Sequence, residues 1–450
     1  MGNRNIAAIV LAAGKGTRMS SDLPKVLHPL AGRPMIGYVV ETVTELKPAK
    51  IAVVIAADGE AVAKAALPYP TVVQKQPRGT ADAVKAARRT LAGFAGDVLI
   101  VYGDHPFLTL ETLERMLAAR RGKYGPGVVV LGFRPEDPTG YGRLVTSAGD
   151  ELEAIVEHRE ATPAQRAIPL CNSGVIAVDG RQLFRLIDRI DNRNVKGEFY
   201  LTDIVKLARA EGIGCGYVEA AADELFGIDD RVKLARAEAL MQGRLRRAAM
   251  EAGVSFVDPA SVYLAWDTRL DRDVIVHPFV VFGPGVSVGS RVEIRSFSHI
   301  EGAAIEAGAI VGPFARLRPG SRVGAGAHVG NFVELKNTVL GEGVKANHLA
   351  YLGDTSIGAK SNIGAGTITC NYDGFEKYRT TIGAGSFVGS NATLVAPVTL
   401  GEGSYVAAGS TIVSDVAADA LIIARPRQVE KPGWAKSFRA KRAGRKLKKG

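Results

Sequence analysis

From about residue 262 onward, one aliphatic residue recurs every six positions: Val276, Phe282, Val288, Ile294 and Ile300. After a five-residue step the series continues as Ile305, Val311, Leu317, Val323, Val329 and Leu335. Two more short steps give Leu340, Ala346 and Leu352, then Ile357 and Ile363. After an interruption at 368–381 it resumes as Ile382, Val388, Leu394, Leu400, Val406 and Ile412. Neither the 3.6-residue helical period nor the two-residue strand period gives a step of six. A solenoid of hexapeptides does. Each hexad makes one short flat side, the aliphatic residue points inward, and three sides make one coil. Gly or another small residue usually follows the aliphatic one, and a small or β-branched residue often sits four positions on, which permits the corners. A β-sandwich would instead show strands spaced roughly 8–12 residues apart.

The first 228 residues read differently. Ile6–Ala12, Ile51–Ala56, Thr71–Val73, Val98–Tyr102 and Val128–Gly132 are short apolar runs that predict strands. Pro34–Glu45, Thr80–Leu91 and Leu108–Arg120 predict helices. This alternation predicts an α/β domain with a largely parallel sheet. Residues 229–252 hold no Pro, open on two Asp and turn basic later, which suits the dipole of a connecting helix. The expected organisation is therefore 1–228, an α/β domain; 229–252, a linker helix; 253–430, the solenoid; and 431–450, a basic tail. The net charge of +11 does not mark a nucleic-acid binder. Residues 431–450 carry nine bases and no acid, leaving 48 bases against 46 acids elsewhere. Cys171, Cys215 and Cys370 are far apart in sequence, which argues against a disulfide framework or a zinc site. No run reaches the ~18 apolar residues of a membrane helix. The expectation is a cytoplasmic protein.

Two stretches of the α/β half carry chemistry. Leu11-Ala12-Ala13-Gly14-Lys15-Gly16-Thr17-Arg18-Met19 follows the first strand, and Lys25 comes six residues later. Its glycines let backbone N–H groups approach an anion, and Arg18 and Lys25 can offset phosphate charge. The same two glycines also suit a plain strand–helix turn. Val98–Tyr102 ends in Gly103-Asp104, which places a carboxylate beyond a strand's carboxyl end, where ligands sit in such sheets. It can hold Mg²⁺ against phosphates, or cap a helix. Gln74 and Gly79-Thr80 can read a base edge or cap the helix that follows.

On the solenoid, Arg318, Lys336, His348, Tyr351, Asn362, Asn371 and Tyr372 break the aliphatic pattern and take outward or corner positions. Asn347-His348-Leu-Ala-Tyr351-Leu-Gly-Asp354 places an imidazole near a phenol and a carboxylate, which suits a general base. A solvated surface histidine is the plain alternative. Cys370 has no base specified beside it, so a structural thiol fits better than a nucleophile.

LAAGKGTRM with Pro24-Lys25, Gly79-Thr80, Tyr102-Gly-Asp104, Gly140-Tyr-Gly-Arg143, Ile155-Val-Glu157-His158 and Asn172-Ser-Gly174 resembles the sugar-1-phosphate nucleotidyltransferases. Joined to hexapeptide repeats that contain FARLRPG, NFVELK, HLAYLGD, NIGAG and CNYDG, the chain resembles one family. These are the bacterial bifunctional N-acetylglucosamine-1-phosphate uridylyltransferase/glucosamine-1-phosphate N-acetyltransferases. The resemblance implies a Rossmann-like nucleotidyltransferase domain joined by a long helix to a left-handed parallel β-helix. It implies acetyl transfer from acetyl-CoA to glucosamine-1-phosphate, then uridylyl transfer from UTP, giving UDP-N-acetylglucosamine for cell-wall precursors. Leu11, Ala12, Gly14, Gln74, Gly79, Thr80 and Tyr102 would contact the uridine nucleotide. Arg18 and Lys25 would balance phosphate charge, and Gly140, Glu157 and Asn172 would hold the sugar. Mg²⁺ would sit on Asp104 and Asp229, the latter standing in Phe226-Gly-Ile-Asp229 where the family has Asn. Arg318, Lys336, Tyr351 and Asn362 would bind glucosamine-1-phosphate. Ala365, Asn371, Tyr372, Ser390, Ala408 and Arg425 would bind acetyl-CoA, and His348 would be the base. A homotrimer is implied, with the basic tail near a neighbour's CoA. The alternative is a single-activity nucleotidyltransferase with a purely structural β-helix.

Overall fold

Seven apolar runs of the first part of the chain pair into one sheet. The computed structural model describes residues 6–122 and 125–446, and the chain divides into units Met1–Arg244 and Leu245–Gly450. In the first unit the strand order is Cys215–Glu219, Val128–Phe133, Cys171–Asp179, Asp97–Tyr102, Ile6–Leu11, Lys50–Ala56 and Thr71–Gln74. Neighbours run parallel, except that Cys171–Asp179 is antiparallel to both of its own. A hairpin, Arg143–Thr146 with Leu152–Val156, joins beside it. Both faces are buried. Ala7, Ile9 and Leu11 pack into one core cluster, and Ile6, Ala8 and Val10 into another. That is why these strands read as unbroken apolar runs rather than alternating ones.

Helix boundaries shift slightly from expectation. The helix expected over 80–91 is Thr80–Ala86, and the chain then tightens into turns, with Ala87 N–H to Val84 O at 3.0 Å and Arg88 N–H to Lys85 O at 3.1 Å. Leu110–Arg121 is capped by Thr109, whose Oγ1 accepts Thr112 N–H at 3.2 Å, so Asp104 is free of the capping role. In the expected linker, the helix is Arg231–Glu251, and Asp230 Oδ1 accepts Lys233 N–H at 2.8 Å ahead of it.

The second unit is a left-handed parallel β-helix. Strands of two to four residues form three parallel sheets of ten, eight and eight strands, the three sides of the coil. Every aliphatic residue of the six-residue series lies in one core cluster. Two positions before each, small or β-branched side chains turn inward at the corner. Ala309, Ala315, Ser321, Ala327, Thr355, Ser361 and Ser386 are all buried there. The Ser361 and Ser386 hydroxyls satisfy themselves on Gly383 O and Gly401 O, at 2.9 and 3.0 Å. Leu400 is fully buried in this stack. Leu400→Ala is expected to cost about 2–5 kcal/mol, read as an earlier unfolding transition in denaturant; an unchanged midpoint would contradict the stacked core.

At the interruption, residues 371–379 leave the coil as a loop bridged by Tyr372 and Lys377. The chain re-enters at Thr380–Ile382, paired to Thr355–Ile357. The basic tail contains a helix, Trp434–Lys446; its last residues, 447–450, lie outside the described part. Among the described residues, no helix is long and apolar enough to cross a membrane.

Candidate active sites

In the first unit, Leu11 and Tyr102 are register partners, so the loops leaving their two strands emerge side by side. Gly103 N–H donates to Leu11 O at 2.9 Å. Together they open a cleft lined by Leu11, Ala12, Gly14, Arg18, Lys25, Gln74, Gly79, Thr80, Tyr102 and Asp104. These residues come from five separate stretches of sequence. Gly16 has φ +61°, and a Cβ there would stand 2.6 Å from Lys25 Cβ, so only glycine lets the loop fold back over Lys25. Gln74 is buried, and its Nε2 donates to Gly79 O and Asp82 Oδ2, both at 3.1 Å. It thus fixes the Gly79 loop rather than capping the helix. Thr80 Oγ1 accepts Leu201 N–H at 3.0 Å.

Lys25, Asp104 and Arg18 in this cleft are paired with opposite charges. Lys25 Nζ lies 2.5 Å from Asp104 Oδ2. Burial alone would push the Asp104 carboxyl up, but the Lys25 ammonium and His105 hold it well below the usual carboxylate range. Burial, helped by the charges of Asp104 and Glu157, raises the Tyr102 phenol, which therefore stays protonated. Ile228 N–H donates to the Asp104 carbonyl at 3.1 Å, which brings Asp229 alongside. Asp229 Oδ2 meets Arg18 at 2.8 Å, and its Oδ1 meets Lys233 at 2.9 Å. That Oδ1 is buried and makes no aligned hydrogen bond. Two hard carboxylates, one with an oxygen in this state, fit a divalent cation that takes its other ligands from substrate phosphates and water. Among the described residues no group of three or more His, Cys, Asp or Glu gathers.

Gly140, Glu157 and Asn172 do not line this cleft. Glu157 and Asn172 lie beside Tyr102. Asn172 Oδ1 accepts Gly174 N–H at 2.9 Å, and a Cβ on Gly174 would stand 2.7 Å from the Tyr102 ring. Burial raises the Glu157 carboxyl despite a 3.3 Å hydrogen bond from Thr202. Sequence reading missed Lys15, Lys196 and Glu198, which also line the cleft. Their neighbour Phe199 closes on Gly79 (φ +121°), whose Cβ would stand 2.5 Å from Phe199 O. Glycine at 79 was the only signal of that approach.

In the second unit, coil register sorts the candidates into columns. Val329, Ala346, Ile363, Val388 and Val406 are successive strand partners on one side. Two residues beyond each, at one corner, stand Asn331, His348, Ala365, Ser390 and Ala408. The base candidate and three acetyl-CoA candidates thus share a corner on successive coils, and Asn331 stands one coil below His348. Coils repeat at ~4.8 Å, so His348 to Ala408 spans about 14 Å. Asn391 N–H donates to Ala365 O at 2.7 Å, and Arg425 Nη1 donates to Ala408 O at 2.7 Å. On the adjoining side, Leu317 pairs Leu335, which pairs Leu352, so Arg318 and Lys336 stack one above the other. Arg318 meets Glu334 at 3.0 Å.

One expectation is corrected. Asp354 is not the carboxylate beside His348. The two lie six residues apart, with the strand Tyr351–Gly353 of the next side between them. Asp354 instead binds Lys336 Nζ at 3.0 Å, Asn337 Nδ2 at 2.7 Å and the Asn371 carboxamide. These contacts offset the cost of burial and lower its pKa, while Asp354 raises that of Lys336. His348 faces Asn331. Asn371 is buried rather than outward, and the Tyr351 hydroxyl reaches its Oδ1 at 3.5 Å. Asn362 stands on another side from Lys336, and Tyr372 bonds Gly374 O at 2.6 Å within its own loop.

A MobA-like NTP transferase domain model matches residues 8–169, and the bacterial transferase hexapeptide model (six repeats) matches 379–414. The chain is 57% identical over 449 residues to the bifunctional protein GlmU of Paramagnetospirillum magneticum, covering 100% of each. It is 58% identical over 434 residues to that of Rhodospirillum rubrum, covering 96% of this chain and 97% of the relative. With Azorhizobium caulinodans GlmU it shares 53% over 451 residues, 99% of this chain and 100% of the relative. The chain belongs to the bifunctional GlmU family.

Proposed function

We propose that the chain makes UDP-N-acetylglucosamine at two separate sites, one on each unit, through the residues described above. The observation that carries the acetyl half is the corner column of His348, Ala365, Ser390 and Ala408 beside stacked Arg318 and Lys336. A long thioester lies along the column. The sugar phosphate is held by the two cations, with Tyr351 and Asn362 placing the ring. Asn371, Tyr372 and Arg425 complete the acetyl-CoA side. The free amine of glucosamine-1-phosphate attacks the thioester carbonyl, and the C–N bond forms as the C–S bond breaks. His348 takes the amine proton and returns it to the departing CoA thiolate. The Ala365 N–H stabilises the oxyanion.

In the α/β cleft, Gln74, Gly79 and Thr80 seat the uridine, with Leu11, Ala12 and Gly14 under the nucleotide. Gly140, Glu157 and Asn172 hold the acetylated sugar. Its phosphate oxygen attacks the α-phosphorus of UTP in line, and pyrophosphate leaves. Arg18 and Lys25 leave their carboxylate partners for the phosphates and offset the charge there. The family's divalent metal, proposed to be Mg²⁺ on Asp104 and Asp229, supplies further charge neutralisation when bound. Asp229→Ala is expected to raise the Mg²⁺ needed for half-maximal pyrophosphate release at least ~10-fold. An unchanged requirement removes Asp229 from the metal set.

Three copies with closed symmetry form the proposed assembly. The separation of Asn362 from the Lys336 side of the coil within one chain supports a site finished by a second copy. The proposed location is the cytoplasm. The test is a pair of assays. Free CoA thiol should appear only with glucosamine-1-phosphate, and pyrophosphate only with UTP plus the acetylated sugar. Pyrophosphate without any thiol would favour the single-activity reading, which the relatives' bifunctional naming disfavours.

A further inference from the structure

We propose that Asn331 is a positioning residue for acetyl transfer, setting which nitrogen of His348 carries the proton. The inference rests on His348 being the base. Asn331 and His348 are Cα partners on adjacent coils. The Asn331 carboxamide Oδ1 lies 2.7 Å from His348 Nδ1. A carboxamide oxygen only accepts, so Nδ1 holds the hydrogen and the Nε2 lone pair is left to take a proton. Backbone contacts keep the pair in register. Leu349 N–H donates to Asn331 O at 3.0 Å, directly after the imidazole, and Phe332 N–H donates to Phe314 O at 3.1 Å, directly after the carboxamide. Leu349 and Phe332 both have positive φ, 49° and 56°, so the chain turns the same corner after each. The side chain beneath the imidazole is therefore held by the coil itself. No carboxylate hydrogen-bonds the ring among the described residues: Asp354, six residues on, serves Lys336, Asn337 and Asn371.

The test compares Asn331→Leu, Asn331→Asp and His348→Ala in the full-length protein. KM for both acetyl-transfer substrates and an unchanged unfolding midpoint serve as controls for folding of the coil, and pyrophosphate release for the first unit. In Asn331→Leu, kcat for thiol release should fall about 10–100-fold, with KM for both acetyl-transfer substrates within about twofold, as for loss of a partner that orients a reacting group. Asn331→Asp keeps an acceptor and should recover to within about threefold of the parent. Histidine ¹⁵N spectra should show neutral His348 as the Nδ1–H tautomer in the parent and mainly Nε2–H in Asn331→Leu. A parent spectrum showing Nε2–H, or full kcat in Asn331→Leu, overturns the inference. If His348→Ala itself keeps thiol release, the assignment of the base has failed instead.

Discussion

Replacing His348 by Ala is expected to cut release of CoA thiol at least ~100-fold while leaving pyrophosphate release within twofold of the parent, because general-base catalysis contributes ~10²–10⁴. An ammonium has no lone pair, so the amine must lose a proton on the way to the amide. His348 is the titratable group on the corner that also presents Ala365, Ser390 and Ala408. Its side chain is exposed and lies outside the aliphatic stack, so truncation opens no cavity. Exposed substitutions of this kind change stability by only about ±0.5 kcal/mol. Lost turnover would therefore report chemistry rather than unfolding. A loss under tenfold would place the base elsewhere on the coil.

Asp104→Asn should show the mirror image: pyrophosphate release lowered about 10²–10³-fold with thiol release unchanged, the scale seen when a placed charge partner is removed from a reaction centre. The replacement keeps shape and removes charge. Two things follow. The proposed metal set loses one of its two carboxylates, and the Lys25 ammonium, only 19% exposed, loses its counter-charge at 2.5 Å. An unpaired buried cation is costly, so Lys25 turns away or attracts another anion. The fold at this point rests on main-chain bonds, Ile228 N–H to Asp104 O and Gly103 N–H to Leu11 O, which the substitution leaves alone. Retention of pyrophosphate release to within tenfold would remove Asp104 from the reaction centre.

Legibility in the sequence differed by element for physical reasons. The coil was readable, since a six-residue period has no competing structure and each aliphatic residue found the core, except that Ile368–Cys370, expected to lie in the interruption, is a strand of the coil. Five strands of the α/β sheet were readable because strands buried on both faces are apolar throughout, whereas Cys171–Asp179, Cys215–Glu219 and the hairpin Arg143–Thr146 with Leu152–Val156 were not read as strands. Residues joined only by register were not. Asn331 looks like any outward polar residue, and its partnership with His348 depends on a 17-residue coil offset that skips two corners. Asp354 was read as His348's neighbour from its sequence distance, but six residues span a whole side. Lys196 and Glu198 reach the cleft from more than a hundred residues beyond Gly79, and no local pattern marks them. Arg231, which ties the start of its helix to Met19 O at 3.0 Å, is equally silent in the sequence.

Mixing the two variants measures the separation of the sites most directly. Neither His348→Ala nor Asp104→Asn alone should make UDP-N-acetylglucosamine from glucosamine-1-phosphate, acetyl-CoA and UTP above about 1% of the parent rate, a ceiling set by the ~100-fold losses above. An equimolar mixture should regain synthesis after a lag, as acetylated sugar phosphate made by one variant reaches the other. A mixture as inactive as its parts would show that the two centres do not act independently on a diffusible intermediate.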